Sequence, residues 1–299
     1  GVWLSRWLGV PHLYDMHSSL PQQLSNFTYS RSGVLRRLFT WAEVQMVLGS
    51  QSVITICQEL QDEVTRMGAG DRSLLIENVM GGEVDEAPSK PAADIRTAWG
   101  IPADAPVALY TGTFEAYQGV ELLVDAAAIL AESRPDARVL VVGGEPQQVD
   151  RARAVARERG AVDVMVFTGQ QPAREIPSFV QASDVLVSPR IRGTNTPLKI
   201  YSYLRSGRPI LATNLLTHTQ VLTSDIAVLV PPEPHALAEA LAALIDDPAA
   251  RQALAARARA VADERYSREA YVRRTAQAYA RLSAGASGQV PTPQTVTER

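Results

Sequence analysis

From about residue 105 onward, short runs of β-branched and other apolar residues alternate with stretches of helical periodicity, and this alternation leaves few folds open. Val107–Tyr110, Arg138–Val142, Asp163–Phe167, Asp184–Ser188, Pro209–Ala212 and Ile226–Val230 read as strands. Runs this continuously apolar belong to a parallel sheet covered by helices on both faces. Val120, Leu123, Ala127 and Leu130 after the first strand, and Leu237, Leu241, Leu244 and Ile245 after the last, recur at helical spacing and supply that cover. Six such strands complete one doubly wound α/β domain.

Upstream, only three strands are legible, His12–Asp15, Val53–Ile56 and Leu74–Ile76, with helices near Gly33–Leu48 and Glu59–Met67. They amount to half a domain. Gly81–Ala93, with paired glycines and two prolines, reads as a linker. The expected division is therefore a partial first domain over 1–85 and a complete second one over 86–267. Tyr271, Val272, Ala278, Tyr279 and Leu282 stripe a further helix over 268–282, expected to pack back toward the first domain. The tail 283–299, rich in Gly, Pro and Thr, is expected to be disordered.

Composition narrows the partners. With 29 basic and 32 acidic residues the chain has a net charge of -3 and no polybasic stripe, which argues against nucleic acid. No apolar run approaches the roughly 20 residues of a membrane span. Cys57 is the single cysteine, so neither an intramolecular disulfide nor a cysteine zinc cage can form, and a cytoplasmic location is the default. Trp41 beside Arg36 and Arg37 could touch anionic lipid at the inner face of a membrane; Glu43 nearby favours the alternative, a solvated helix face. Lys90 and Lys199 are the only lysines in an arginine-rich chain.

The chemistry concentrates in loops that leave strand ends. After Ser188 comes a polar loop with Arg190, Arg192, Gly193, Thr194, Asn195 and Thr196, and then a helix with Thr196 as expected N-cap and Pro197 as first helical residue. Free N–H groups of a helix start at the C-terminal edge of a parallel sheet favour phosphate; an ordinary βα turn is the alternative. Lys199 would then lie in the first helical turn, where the macrodipole disfavours a cation unless an anion binds there. Gly112, Thr113, Gln118 and Gly119 follow the first strand, Gly143, Gly144 and Glu145 the second, and Thr168 and Gly169 the third. Glycine at each early strand end suggests a shared crevice, although no G-x-G-x-x-G dinucleotide fingerprint is present.

Taken together, Thr194–Thr213 resembles the donor-site signature of family 4 glycosyltransferases, where P-x-K-x-x-E-Y precedes A-x-G-x-P-x-x-A-T. Pro197, Lys199, Tyr203, Gly207, Pro209, Ala212 and Thr213 match. Tyr110–Leu123 is similar to the family's first C-domain loop and helix, Leu13–Gln23 to its acceptor-side loop with a central His, here His17, and Ile54–Asn78 to the run before the interdomain hinge. The resemblance implies the GT-B fold, two Rossmann-like doubly wound domains facing across a cleft, the first incomplete because the family's N-terminal domain begins upstream of the match to Leu13.

The resemblance further implies retaining transfer of a sugar from a nucleotide-sugar donor to a glycan, lipid-linked or small-molecule acceptor, in a bacterial enzyme of cell-envelope glycan assembly. His17 would orient the sugar or polarise a hydroxyl, and Lys199 would stabilise the leaving diphosphate. The donor would be held by Gly112, Thr113, Gln118, Gly144, Glu145, Arg190, Arg192, Thr194, Asn195, Thr196, Lys199 and Ser202. No D-x-D motif occurs, so neither metal nor cofactor is expected. Thr194 and Ser202 stand where many members carry glutamates, and Thr113 and Gln118 where members place Arg and Lys. A sugar-nucleotide epimerase is one alternative, and a non-catalytic sugar-nucleotide-binding or scaffold protein another. His218 could also line the cleft.

Overall fold

The computed structural model describes residues 1–21, 33–77 and 88–287. They form two units, Gly1–Asn78 with Arg268–Arg299, and Val79–Ser267. The boundary expected between 85 and 86 lies outside the described residues. Most of the expected linker lies there too, and its last two residues begin a helix instead.

The first unit opens with a helix not legible in the sequence, α1 (Val2–Leu8), followed by β1 (Leu13–Met16), α2 (Gly33–Leu48), β2 (Ser52–Thr55), α3 (Gln58–Arg66) and β3 (Ser73–Leu75). The three strands pair in parallel in the order β1-β2-β3. Met16, Val47, Val53, Leu60 and Val64 close one face of this sheet.

The second unit runs α4 (Ala92–Ala98), β4 (Val107–Thr111), α5 (Val120–Ser133), β5 (Arg138–Val142), α6 (Pro146–Glu158), β6 (Met165–Gly169), α7 (Ile176–Gln181), β7 (Val185–Ser188), α8 (Leu198–Arg205), β8 (Ile210–Thr213), α9 (Leu216–Thr219), β9 (Val228–Val230), α10 (Pro234–Asp246) and α11 (Pro248–Arg265). Strand β6 starts two residues later than expected, because the amides of Val164 and Met165 both turn onto the Ala161 carbonyl, at 3.2 and 3.1 Å. The final helix, α12 (Arg268–Ser287), returns to the first unit, where Ala278 is buried with Ile54 and Ile76 and Arg274 pairs with Glu77 at 2.7 Å. It continues through 283–287, which were expected to be disordered; residues 288–299 lie outside the described residues.

The six-stranded sheet of the second unit is parallel throughout, in the order β6-β5-β4-β7-β8-β9. Side chains alternate between its faces as the pleat requires. Tyr110, Val139, Val141 and Val187 pack with Leu123 and Leu241 on one side, while Leu109, Leu140, Leu186 and Ile210 pack with Ile200 and Leu204 on the other. Both faces are dry, which explains the uninterrupted apolar runs. The chain starts at β4, builds outward to β6, then returns past β4 to build β7, β8 and β9. This reversal leaves a crevice outside the C-terminal ends of β4 and β7, where open α/β sheets bind ligands.

Candidate functional site

A cleft of about 1070 Å³ occupies that crevice, and every residue lining it belongs to the second unit. Its floor is glycine. The Gly112 amide donates to Val142 O at 3.0 Å and the Gly143 amide to Gly169 O at 2.9 Å, which ties three strand ends side by side. Gly143 has φ +127°, and a Cβ there would collide with the Gly112 carbonyl oxygen, so only glycine lets the two strand ends approach. The Tyr110 hydroxyl donates to Thr113 O at 2.6 Å and sets the first loop.

Helix α8 closes another wall. The ring of Tyr203, fully buried, reaches β4, where its hydroxyl accepts from the Thr111 amide at 3.1 Å and lies 2.9 Å from Thr111 Oγ1. Burial pushes the Tyr203 phenol up to about 12, so it stays neutral. One helical turn earlier, Lys199 Nζ donates to Thr111 O at 3.1 Å and sits 3.9 Å from the Tyr110 ring centroid. Residues i and i+4 of a helix share a face, and here they grip one strand end together.

The expected cap is corrected by one residue. Pro197 stays extended, with ψ 135°, and serves as N-cap, so α8 begins at Leu198 and Thr196 Oγ1 is left buried without a hydrogen-bond partner. Lys199 is consequently the second helical residue, still inside the first turn.

Arg190 arrives from the loop after β7. Its Nη1 donates to Asn195 O at 2.8 Å and Thr217 Oγ1 at 2.7 Å, and its guanidinium lies 5.0 Å from the Tyr117 ring centroid in the first glycine loop. Burial lowers the pKa of Arg190, and burial together with the neighbouring Arg190 charge holds Lys199 well below the usual lysine range. Among the described residues neither cation has a carboxylate within 4.0 Å. Two desolvated basic groups with no carboxylate partner among the described residues form a site suited to an anion, which would favour their charged forms.

Of the residues singled out from the sequence, Gly112, Thr113, Gln118, Gly144, Glu145, Arg190, Lys199 and Ser202 line the cleft. Arg192 is exposed and does not. Thr194 and Asn195 act through their carbonyls, which accept from Gln220 Nε2 and from Arg190 and Thr217, and so brace the loop. Thr196 is not among the lining residues either. His218, considered for the cleft, is fully buried instead, with Nε2 2.9 Å from Ser188 Oγ and Nδ1 2.8 Å from Thr213 O. Burial lowers its pKa to about 4, so it is a neutral brace between β7 and β8.

His17 lies in the first unit, on the turn after β1, with Nε2 3.1 Å from Asp15 Oδ2 and both side chains exposed. It is not among the residues that line the second unit's cleft. Sequence reasoning assigned no role to Arg205, Arg208 and Arg259, which line the far end of the cleft. Arg259 donates to Arg205 O at 2.8 Å and Arg208 to Gln181 O at 2.8 Å, closing the C-terminal ends of α8 and α7. No local signal marks Arg259, which comes from α11. Among the described residues no three His, Cys, Asp or Glu side chains group to hold a metal ion, and no helix is long and apolar enough to cross a membrane.

Comparison with known proteins matches this arrangement. The family profile described as glycosyl transferases group 1 covers residues 92–261. The chain is 27% identical over 270 residues to alpha-D-kanosaminyltransferase of Streptomyces kanamyceticus, covering 88% of this chain and 69% of that one. It is 28% identical over 254 residues to 2-deoxystreptamine glucosyltransferase of the same organism, covering 82% and 64%. Among solved structures, Anabaena HepE in complex with UDP and glucose superposes with a TM-score of 0.75 at 20% identity, covering 95% of this chain and 74% of that one. Sucrose-phosphate synthase of Thermosynechococcus elongatus gives 0.72 at 24%, covering 95% and 72%. The profile match spans more than half of the sequence and the fold is that of the GT-B enzymes, so the chain belongs to the glycosyl transferases group 1 family.

Proposed function

We propose that the protein transfers a sugar from a nucleotide-sugar donor, held in the second-unit cleft, to a hydroxyl acceptor. The observation that carries this reading is the Lys199–Arg190 pair, two basic side chains that have no carboxylate within 4.0 Å among the described residues, at the switch point of a parallel sheet. A donor diphosphate would draw a proton onto Lys199 and supply the missing counter-charge. When the bond between the sugar and the diphosphate breaks, the negative charge that develops on the leaving oxygen meets the Lys199 ammonium and the first-turn amides of α8. These groups are fixed before reaction, so little reorganisation is needed, and the reading includes metal independence. It also includes retention of anomeric configuration, with His17 orienting the sugar or polarising a hydroxyl near the reacting centre.

The chain spans 69% and 64% of the two Streptomyces relatives, and the name of the second, 2-deoxystreptamine glucosyltransferase, favours a small-molecule acceptor over a cell-envelope glycan. Isothermal titration with UDP, followed by release of glucose from UDP-glucose, tests the reading. Micromolar binding with turnover supports it, and absence of nucleoside diphosphate binding defeats it. Binding without turnover, even with supplied acceptors, would favour the non-catalytic alternative, which the serine at position 202 in the cleft wall keeps in view.

Peripheral membrane contact is also part of the reading. Glu43, which argued for a solvated face, is 1% exposed and points inward, while Trp3, Trp7 and Trp41 are 85%, 82% and 58% exposed. Helices α1 and α2 therefore present tryptophan with Arg6, Arg36 and Arg37 and no exposed acid, a composition suited to an anionic interface.

A further inference from the structure

Glu43 is a buried carboxylate that the proposed chemistry does not use. It sits on α2, and its partners come from the turn after β1: Ser19 Oγ donates to Oε2 at 3.1 Å and the Leu20 amide donates to Oε1 at 2.8 Å. Among the described residues no cation pairs with it. Burial raises its pKa, the Glu63 charge adds to that rise, and the two hydrogen bonds oppose it. Tyr14 on β1 is the other titratable group facing it, and its phenol is likewise pushed up by burial and by the Glu43 charge.

An apolar residue would fill this position at lower cost, since a buried carboxylate is retained only where its acceptors are used. Here they hold the chain. Met16, fully buried, ends β1, and Ser19, 4% exposed, begins the segment bonded to Glu43. Between these two anchors stand His17 and Ser18, so the turn that carries the imidazole is fastened on both sides. The turn leaves the C-terminal end of a parallel strand, the edge at which α/β sheets present ligand-binding groups. Asp15, one residue before Met16, meets His17 Nε2 at 3.1 Å.

We infer that Glu43 is the positioning residue for His17: its buried carboxylate clamps Ser19 and Leu20 to α2 and thereby sets where the imidazole stands beside Asp15. This rests on the reading of His17 as a substrate-orienting group, but the clamp itself is measurable without turnover. The chain has four histidines, so imidazole NMR signals are resolvable, with His17→Gln assigning the relevant one.

In Glu43→Ala the His17 signal should move toward that of free histidine and the Leu20 amide should exchange at least about tenfold faster, with the signal of His12, which lies in the same unit with Nδ1 2.8 Å from Ser50 Oγ, unchanged as evidence of folding. Glu43→Gln keeps an oxygen for the Leu20 amide and should restore both. Ser19→Ala, which removes one of the two hydrogen bonds, should fall between and serves if Glu43→Ala does not fold. Unchanged His17 and Leu20 signals in folded Glu43→Ala, or equal effects of Ala and Gln, would overturn the inference. UDP titrated into the same variants should bind with wild-type affinity; failure of the wild type to bind UDP would count against the donor reading and leave the clamp result standing.

Discussion

Lys199 on α8 donates to the carbonyl of Thr111, the last residue of β4, at 3.1 Å, across 88 positions of sequence. The contact places the ammonium against the first glycine loop rather than in solvent. The ring beneath Nζ is Tyr110 of the sheet, 3.9 Å away at its centroid. The carbonyl is a weak partner for a desolvated cation, and a diphosphate is a stronger one.

Lys199→Met should therefore weaken UDP binding by about tenfold or more, the equivalent of a lost charge-assisted hydrogen bond. The same experiment has a proton signature. Burial depresses the pKa of Lys199, and a bound dianion raises it, so UDP affinity should fall as pH rises through the depressed value. Titration in buffers of different ionisation enthalpy should show proton uptake in the wild type and none in Lys199→Met.

Gly119 has φ +74°, and a Cβ there would strike the carbonyl oxygen of Pro189. This close pass joins the first glycine loop to the Arg190 loop, as does the Ile191 amide donating to Tyr117 O at 3.0 Å. Gly119→Ala should cost on the order of 1 to 3 kcal/mol from backbone strain alone. It should also weaken UDP binding by separating Arg190 from Tyr117. Urea unfolding and titration check the two effects separately.

His218 sets an acid limit on stability. Its pKa is lowered in the folded protein from the ordinary 6.5 to about 4, so between these values the unfolded chain binds more protons. Stability is fully present above about pH 6.5 and declines as pH falls toward 4, by on the order of 3 kcal/mol. His218→Gln should lower stability at pH 7.5 yet flatten this dependence. Urea midpoints measured from pH 4 to 8 on both proteins provide the check.

Sugar transfer should be unchanged by EDTA if, as proposed, Lys199 and Arg190 supply the charge opposite the leaving diphosphate. Loss of activity on chelation, with recovery on adding Mg2+ or Mn2+, would contradict this.

The Trp3→Ala/Trp7→Ala double variant should sediment with phosphatidylglycerol vesicles at least about fivefold less than wild type, and neither protein should sediment with phosphatidylcholine vesicles. Equal sedimentation of the two proteins on the anionic vesicles would remove these helices from any membrane contact.

The linear order of residues determined the parallel, doubly covered sheet and the glycine at each early strand end, because apolar runs and turn chemistry are local properties. It also determined the helix start at which Lys199 stands, to within one residue: Thr196 was the expected cap, but Pro197 remains extended and takes that place. The direction in which long side chains point was decided only by the tertiary structure. Glu43 reads as a surface charge beside Trp41, yet it turns inward because Ser19 and Leu20, more than twenty residues earlier, supply its donors. His218 has the look of a cleft residue, yet β7 and β8 close over it and Ser188 and Thr213 take both ring nitrogens. Arg190 and Arg192 are equivalent on paper. One is drawn over Tyr117 and held by Asn195 O and Thr217 Oγ1, while the other is left exposed, a difference set by tertiary contacts that the local sequence does not encode.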